Sequence, residues 1–140
     1  MKRSKILFLT IAIFLIIILS AILSIYIHNQ IINETDKEIE ILVIIDFGSL
    51  KESEKHEEHY VSVTEGTSAL EAFNLVAELS VLNYPFGAYI KGVNGYLEEL
   101  PNFWAFYYYE QNLEEWIYSS VGVSHFYLHE GDRIKLQYTG

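Results

Sequence analysis

The side chains that could do chemistry are few, and their spacing suits little of it. His56-Glu57-Glu58-His59 gathers two imidazoles and two carboxylates in four residues. A zinc-peptidase helix needs histidines at i and i+4 with a glutamate beside the first, so that both imidazoles share one face. Here the histidines are three apart, in a charged stretch that also holds Glu52 and Glu54, and this composition reads as a solvated loop. His125 and His129 are four apart, but Phe126-Tyr127-Leu128 between them reads as extended chain, which separates the rings. Glu98-Glu99 and Glu114-Glu115 are paired carboxylates. Glycoside hydrolysis needs two carboxyls facing each other across a cleft, whereas adjacent residues of a strand point to opposite faces. Asp46-Phe47-Gly48 matches a kinase tripeptide, without the Gly-rich and catalytic loops that give that tripeptide its role. The chain has no cysteine, which removes disulfides, thiol catalysis and cysteine-based metal sites. No catalytic residue and no metal ligand is assigned, and a hydrolase acting on surface polymers is the least favoured function.

Aromatic side chains are in excess, at 15% of the chain, and they cluster. Phe103 to Tyr109 holds six aromatics in seven residues, and Tyr84, Phe86, Tyr89, Trp116 and Tyr118 flank it. Strand alternation places Phe103, Ala105, Tyr107 and Tyr109 on one face and Trp104, Phe106 and Tyr108 on the other. One face should enter a core. The other is available to a ligand or a partner, because rings offer large contact area at small entropic cost. A purely structural role for both faces is the competing account.

These residues must be positioned by a small domain. Glu38 to Phe47, rich in Ile and Val and closed by Gly48, reads as a buried first strand. Ser49 to Glu58 reads as a charged loop, and Tyr60, Val61 and Val63 as a short second strand that makes a hairpin with the first. Ser68 and Glu71 have capping-box spacing at the start of a helix. Its apolar face is Leu70, Phe73, Val76, Ala77 and Leu79, and its predicted end lies near Ser80. A strand over Ala88 to Val93 then meets Asn94-Gly95, a two-residue hairpin signal. Further strands are predicted over Phe103 to Tyr109, Leu113 to Tyr118 and Arg133 to Tyr138, with a turn at Glu110 to Asn112 and a loop at Gly122-Val123-Ser124. One helix packed on a mixed sheet, an α+β, β-grasp-like arrangement, fits this order.

The N-terminal part has a different character. Ile6 to Ile27 is 22 residues without a charge. As a helix it would span roughly 33 Å, enough for a hydrocarbon core of about 30 Å. Lys2, Arg3 and Lys5 precede it, so the positive-inside rule keeps residues 1–5 cytoplasmic and sends the rest across. The expected organisation is a basic stub at 1–5, a transmembrane signal-anchor at 6–27, a polar linker at 28–37 and a folded domain at 38–140. A cleaved signal peptide is the competing reading, but its apolar region is usually about 7–15 residues with small residues at the cleavage site. The linker also contains Asn33-Glu34-Thr35, a glycosylation sequon by pattern. Beyond the apolar stretch lie six basic residues and all 19 acidic ones, a formal charge of −13. Such a surface repels phosphate backbones and anionic lipid headgroups, which argues against nucleic-acid binding and suits solubility outside the cell.

Four fragments occur in order: Glu65-Gly66-Thr67-Ser68-Ala69-Leu70-Glu71-Ala72-Phe73; Phe86-Gly87-Ala88-Tyr89-Ile90-Lys91-Gly92-Val93-Asn94-Gly95; Asn102-Phe103-Trp104-Ala105-Phe106-Tyr107; and Gly122-Val123-Ser124 with Leu128-His129-Glu130-Gly131-Asp132-Arg133-Ile134. In these, residues from about Ile39 to Tyr138 resemble the C-terminal β-domain of transcobalamin and intrinsic factor. The resemblance is stronger to a prokaryotic domain of unknown function related to it. It implies a domain of the kind that closes over the upper face of cobalamin. The positions it matches to that contact are Pro85, Phe86, Gly87, Ala88, Tyr89 and Ile90, and, within Trp104 to Leu113, the residues Trp104, Phe106, Tyr108 and Leu113. Trp104 is the first choice among them. The expected function is therefore a non-enzymatic binding or interaction module held at the membrane and facing outward, with a flat apolar or corrin-like small molecule or a protein as its partner. Cobalamin enters only through the resemblance. A structural or accessory subunit of a surface complex is the alternative.

Overall fold

The computed structural model describes residues 2–35, 37–53 and 55–139. Two compact units divide at Lys37. The first is a single helix, α1 (Lys2–Thr35). Its stretch Ile11–Asn29 is long and apolar enough to cross a membrane, and its side chains are exposed throughout. An apolar surface of this extent needs a lipid or protein cover. The helix continues through residues 28–35, where a polar tether is expected from the sequence. His28 to Thr35 contains neither Gly nor Pro, so nothing stops the helical hydrogen bonding from running on. Glu54 and the side chains of the sequon lie outside the described residues.

The second unit is mixed α and β, with one helix on a sheet. Its first strand, β1 (Glu38–Asp46), is buried from Ile41 to Ile45, as a strand covered on both faces must be. β2 (His56–Thr64) pairs antiparallel with it along the whole length, from His56 opposite Asp46 to Thr64 opposite Glu38. This corrects the expected loop over Ser49 to Glu58. The long β1 supplies ladder partners that outweigh the poor strand propensity of His56-Glu57-Glu58. Between the two strands Gly48 takes φ +51, and a Cβ there would come within 2.8 Å of the Tyr138 carbonyl oxygen.

The helix α2 (Ala69–Val76) is capped as its sequence predicts: the Glu71 N–H donates to Ser68 Oγ at 3.3 Å, and the Ser68 N–H to the Glu71 carboxylate at 3.0 Å. It ends four residues earlier than expected. Ala77 is already extended, at φ −147, and β3 (Leu79–Tyr84) begins where the last helical turn was predicted. The cause lies across the chain. Glu78 and Asn94 clasp each other, the Glu78 N–H on Asn94 Oδ1 and the Asn94 N–H on the Glu78 carbonyl, both at 2.8 Å. This pins the chain against β4 (Gly87–Val93), to which β3 pairs antiparallel. Asn94 and Gly95, both at positive φ, turn β4 into the short β5 (Tyr96–Leu97), as their sequence signals.

The remaining strands are β6 (Trp104–Glu110), β7 (Glu115–Tyr118) and β8 (Arg133–Tyr138). The larger sheet has the order β2-β1-β8-β6-β7, with β1 and β8 parallel at its centre, and β3-β4-β5 form a second sheet. Register decides the aromatic strand. Trp104, Phe106 and Tyr108 stand opposite Tyr138, Leu136 and Ile134, the inward residues of β8, so this face enters the core. There Phe73 and Phe106 meet edge to face, as do Phe47 and Trp104. Tyr107 and Tyr109 lie on the opposite face with Tyr118 and Trp116, and Lys135 and Arg133 sit over their rings.

Candidate functional site

One cavity in the second unit gathers much of what the sequence singles out. Its floor is the start of β6, where Trp104 and Phe106 face inward. One wall is Phe86 with Ala88, Tyr89 and Ile90 of β4. The opposite wall is Tyr118 at the end of β7 and the chain from Ser119 to Val123. The volume is about 180 Å³. That is below the roughly 300–1,000 Å³ of sites that enclose a drug-sized ligand. A small group, or the edge of a larger flat one, fits inside, and the rest of such a ligand would lie across the mouth on Phe86 and Tyr118, which are 72% and 58% exposed.

Two glycines bring the walls together. Gly87 has φ +125, a conformation L side chains rarely adopt, and a Cβ there would stand 3.2 Å from the Gly122 Cα. A Cβ on Gly122 would in turn press on the Ala88 carbonyl at 3.2 Å. Hydrogen bonds hold the Ser119 to Val123 wall. The Ser119 N–H donates to the Phe106 carbonyl at 2.9 Å, while its hydroxyl donates to the Val121 carbonyl at 2.9 Å and accepts from the Val121 N–H at 3.3 Å. Ser124 Oγ accepts from the Ala88 N–H at 2.9 Å, joining this wall to β4. The backbone is thus fixed on both sides before anything binds.

Four hydroxyl side chains line the cavity, those of Tyr89, Tyr118, Ser119 and Ser120, and Tyr89 has a shifted ionisation. Its hydroxyl donates to the Glu98 carboxylate. Burial, and after it the hydrogen bond and charge of Glu98, push its ionisation up to about 12. It is a neutral donor, already engaged, across the physiological range.

The expected site residues divide. Phe86, Ala88, Tyr89, Ile90, Trp104 and Phe106 line this cavity together. Pro85 and Gly87 belong to the turn and strand beside Phe86, and neither lines it. Tyr108 packs against Phe126 at 5.3 Å and borders a separate depression with Asn112 and His129. Leu113 is exposed in the turn between β6 and β7. Trp104, the first choice among the expected contacts, is a core residue. It is 3% exposed and meets Phe47 at 5.6 Å and Tyr138 at 5.4 Å, and its indole N–H donates to the Tyr96 carbonyl at 2.9 Å. The register with β8 turns its ring inward, and it still contributes to the cavity lining. The wall from Tyr118 to Val123 is absent from the expected set. Its signals in the sequence are Tyr118, one of the clustered aromatics, and Gly122-Val123-Ser124, which reads as a loop.

The possible ligand groups also find places. β2 alternation puts His56 and Glu58 on one face, bonded at 2.8 Å, and Glu57 and His59 on the other. His125 lies in a short 3-10 turn and His129 beside Asp132. Among the described residues no three such side chains converge as a metal site would need.

No protein-family description and no curated protein matches this sequence. Solved structures do match in fold. Haptocorrin in complex with Cbi superposes with a TM-score of 0.58 at 12% identity, over 74% of this chain and 25% of the haptocorrin chain. A protein from Ruminococcus gnavus, described provisionally as metal binding, superposes with a TM-score of 0.50 at 13% identity, over 72% of this chain and 96% of its own. The chain spans about a quarter of haptocorrin. At these identities the shared property is the fold.

Proposed function

We propose that this chain is a membrane-anchored, non-enzymatic binding module whose folded unit lies outside the cytoplasm. Its site is the cavity between the Phe86–Ile90 wall and the Tyr118–Val123 wall. The observation that carries the proposal is convergence: six residues matched to the ligand-facing pieces of the cobalamin carriers meet in one cavity of a haptocorrin-like fold. The lining suits a flat, apolar or corrin-like ligand, because it offers exposed aromatic faces at Phe86 and Tyr118, a fixed backbone, and few polar groups, of which the Tyr89 and Ser119 hydroxyls are already engaged. Cobalamin is the first ligand to test. Its affinity should be weak, since this chain corresponds to a quarter of haptocorrin and a cavity of about 180 Å³ holds only part of a macrocycle. The basic residues Lys2, Arg3 and Lys5, ahead of the apolar stretch, and the acidic unit after it favour the outward orientation.

Two measurements test this reading. Protease added to intact cells should remove residues 38–140, and the mass of the mature chain should retain residues 6–27. A shielded unit, or a mature N-terminus beyond residue 20, contradicts the anchored orientation. A hydrolase panel on the purified full chain should show no turnover, and turnover abolished by one point substitution would overturn the non-enzymatic assignment.

A further inference from the structure

The aromatics of the core and the cavity spend their polar tips inside the chain: the Trp104 indole N–H on the Tyr96 carbonyl, the Tyr89 hydroxyl on Glu98. Those on the outer face of the five-stranded sheet do not. α2 lies against the other face of that sheet, where Phe73 meets Phe106. On the outer face Lys135 stands beside Tyr107 in the ladder, and Tyr109 beside Trp116. The Arg133 guanidinium lies 4.2 Å from the Tyr109 ring centre, and the Lys135 ammonium 4.7 Å from that of Trp116. Tyr109 and Trp116 meet edge to face at 5.4 Å. All five side chains are half-buried. Among the described residues none of them makes a hydrogen bond or ion pair with another group of the chain, and Arg133 Nε is buried without an acceptor. Burial holds the Lys135 ammonium below its ordinary value, against the opposing charge of Asp46. Half-buried rings normally find partners for their polar tips, so five neighbours with none mark a surface built to meet something outside the chain.

We propose that this face binds a neutral polysaccharide, with Tyr107, Tyr109, Trp116, Arg133 and Lys135 as its contacts. The occupant follows from charge and hydrogen-bonding capacity. Whatever covers Arg133 and Lys135 must bring acceptors, because a charge buried without one is costly. An acidic partner meets a unit of formal charge −13, with Glu58 and Asp46 on this same face. A basic partner meets Arg133 and Lys135 themselves. Hydroxyl groups both donate and accept. A hydroxyl-rich neutral chain therefore serves the guanidinium, the ammonium, the indole N–H, the two phenols and Glu58 together, without opposing any charge. The rings take the C–H faces of the sugars, offering large contact area at small entropic cost. The sheet has five strands, and at about 4.8 Å between neighbours its face is roughly 19 Å wide. It is bounded by edge strands rather than walls, a shape that fits an extended chain better than a small enclosed ligand. The inference does not depend on the ligand assigned to the cavity.

The test is calorimetric titration of the full chain in a polyoxyethylene detergent, which carries no sugar headgroup. The probes are cellohexaose, maltohexaose and the hexamer of N-acetylglucosamine, with hexagalacturonate as the charged counterpart. At least one neutral hexasaccharide should bind saturably, about tenfold or more tighter than hexagalacturonate. Its affinity should change by less than about twofold between low and high salt, since no charge on the ligand is there to be screened. Trp116→Ala should weaken binding about tenfold. Tyr109→Phe keeps the ring and removes only a hydroxyl that has no partner in the chain. It should leave the melting temperature unchanged and weaken binding about threefold, and it decides the matter should the Trp116→Ala chain fail to fold. Absence of binding by all three neutral probes, tighter binding of hexagalacturonate, or wild-type affinity in either folded variant overturns the proposal.

Discussion

The indole N–H of Trp104 donates to the backbone carbonyl of Tyr96 at 2.9 Å, tying the first residue of β6 to the end of the β4–β5 hairpin. The two sheets are thereby joined through a buried side chain, and the floor of the cavity is set by a core contact. Trp104→Ala should therefore act on stability, costing about 3–5 kcal/mol through the void it leaves. Trp104→Phe keeps part of the volume and loses the hydrogen bond, a smaller cost that includes about 1 kcal/mol for the bond itself. Denaturant unfolding of the two variants checks the order. A Trp104→Ala chain with wild-type stability would contradict the placement.

Gly87 and Gly122 should be intolerant for separate reasons. Gly87→Ala forces a side chain into φ +125 and into contact with the opposing wall, and a loss of about 1–3 kcal/mol is expected. Gly122→Ala meets only the contact, because its φ is ordinary, and should cost less. Melting temperatures of the two variants test that ranking.

The capping box predicts a pH dependence. Hydrogen bonds from the Ser68 side chain, and then from its backbone, hold the Glu71 carboxyl below its ordinary value of 4.5. A carboxyl depressed in the folded state contributes stability that is present above its unfolded pKa and lost as pH falls through the folded one. Ser68→Ala should cost about 1 kcal/mol at pH 7. The difference between Glu71→Gln and the wild type should shrink as the pH is lowered below 4.5. Chemical unfolding at pH 7 and pH 3 measures both.

Tyr89 makes the opposite case. Its neutral form is favoured by burial and by Glu98, so its contribution is complete below its unfolded value of 10 and lost as pH rises through about 12. The ultraviolet difference between wild type and Tyr89→Phe should show one tyrosinate appearing near pH 12. Its appearance near pH 10 would mean that the hydroxyl is open to solvent.

Local signals carried much of this fold. The Ser68–Glu71 cap, the Asn94-Gly95 turn and the alternation of Arg133 to Tyr138 each act within a few residues, and the structure places them as read. What stayed hidden depends on partners distant in the chain. His56 to Glu58 becomes strand because β1 is long enough to pair with it, and the end of α2 is set by Asn94, 16 residues beyond Glu78. The aromatic alternation of β6 was legible, but its inward face follows from the register with β8, some 30 residues later. That register also turns Trp104 into the core.

The most direct measurement is a titration of the full-length chain in detergent with cobalamin, comparing wild type with Phe86→Ala, Tyr118→Ala and Tyr60→Ala. Phe86 and Tyr118 flank the cavity, whereas Tyr60 is equally exposed but lies on β2. Saturable binding is predicted, weakened about 5- to 150-fold by each of the first two substitutions, as loss of 1–3 kcal/mol at a hot spot implies. Tyr60→Ala should bind as the wild type does, and all three variants should melt with it. Absence of saturable binding, or equal weakening by Tyr60→Ala, would contradict the assignment of a corrin-like ligand to this cavity.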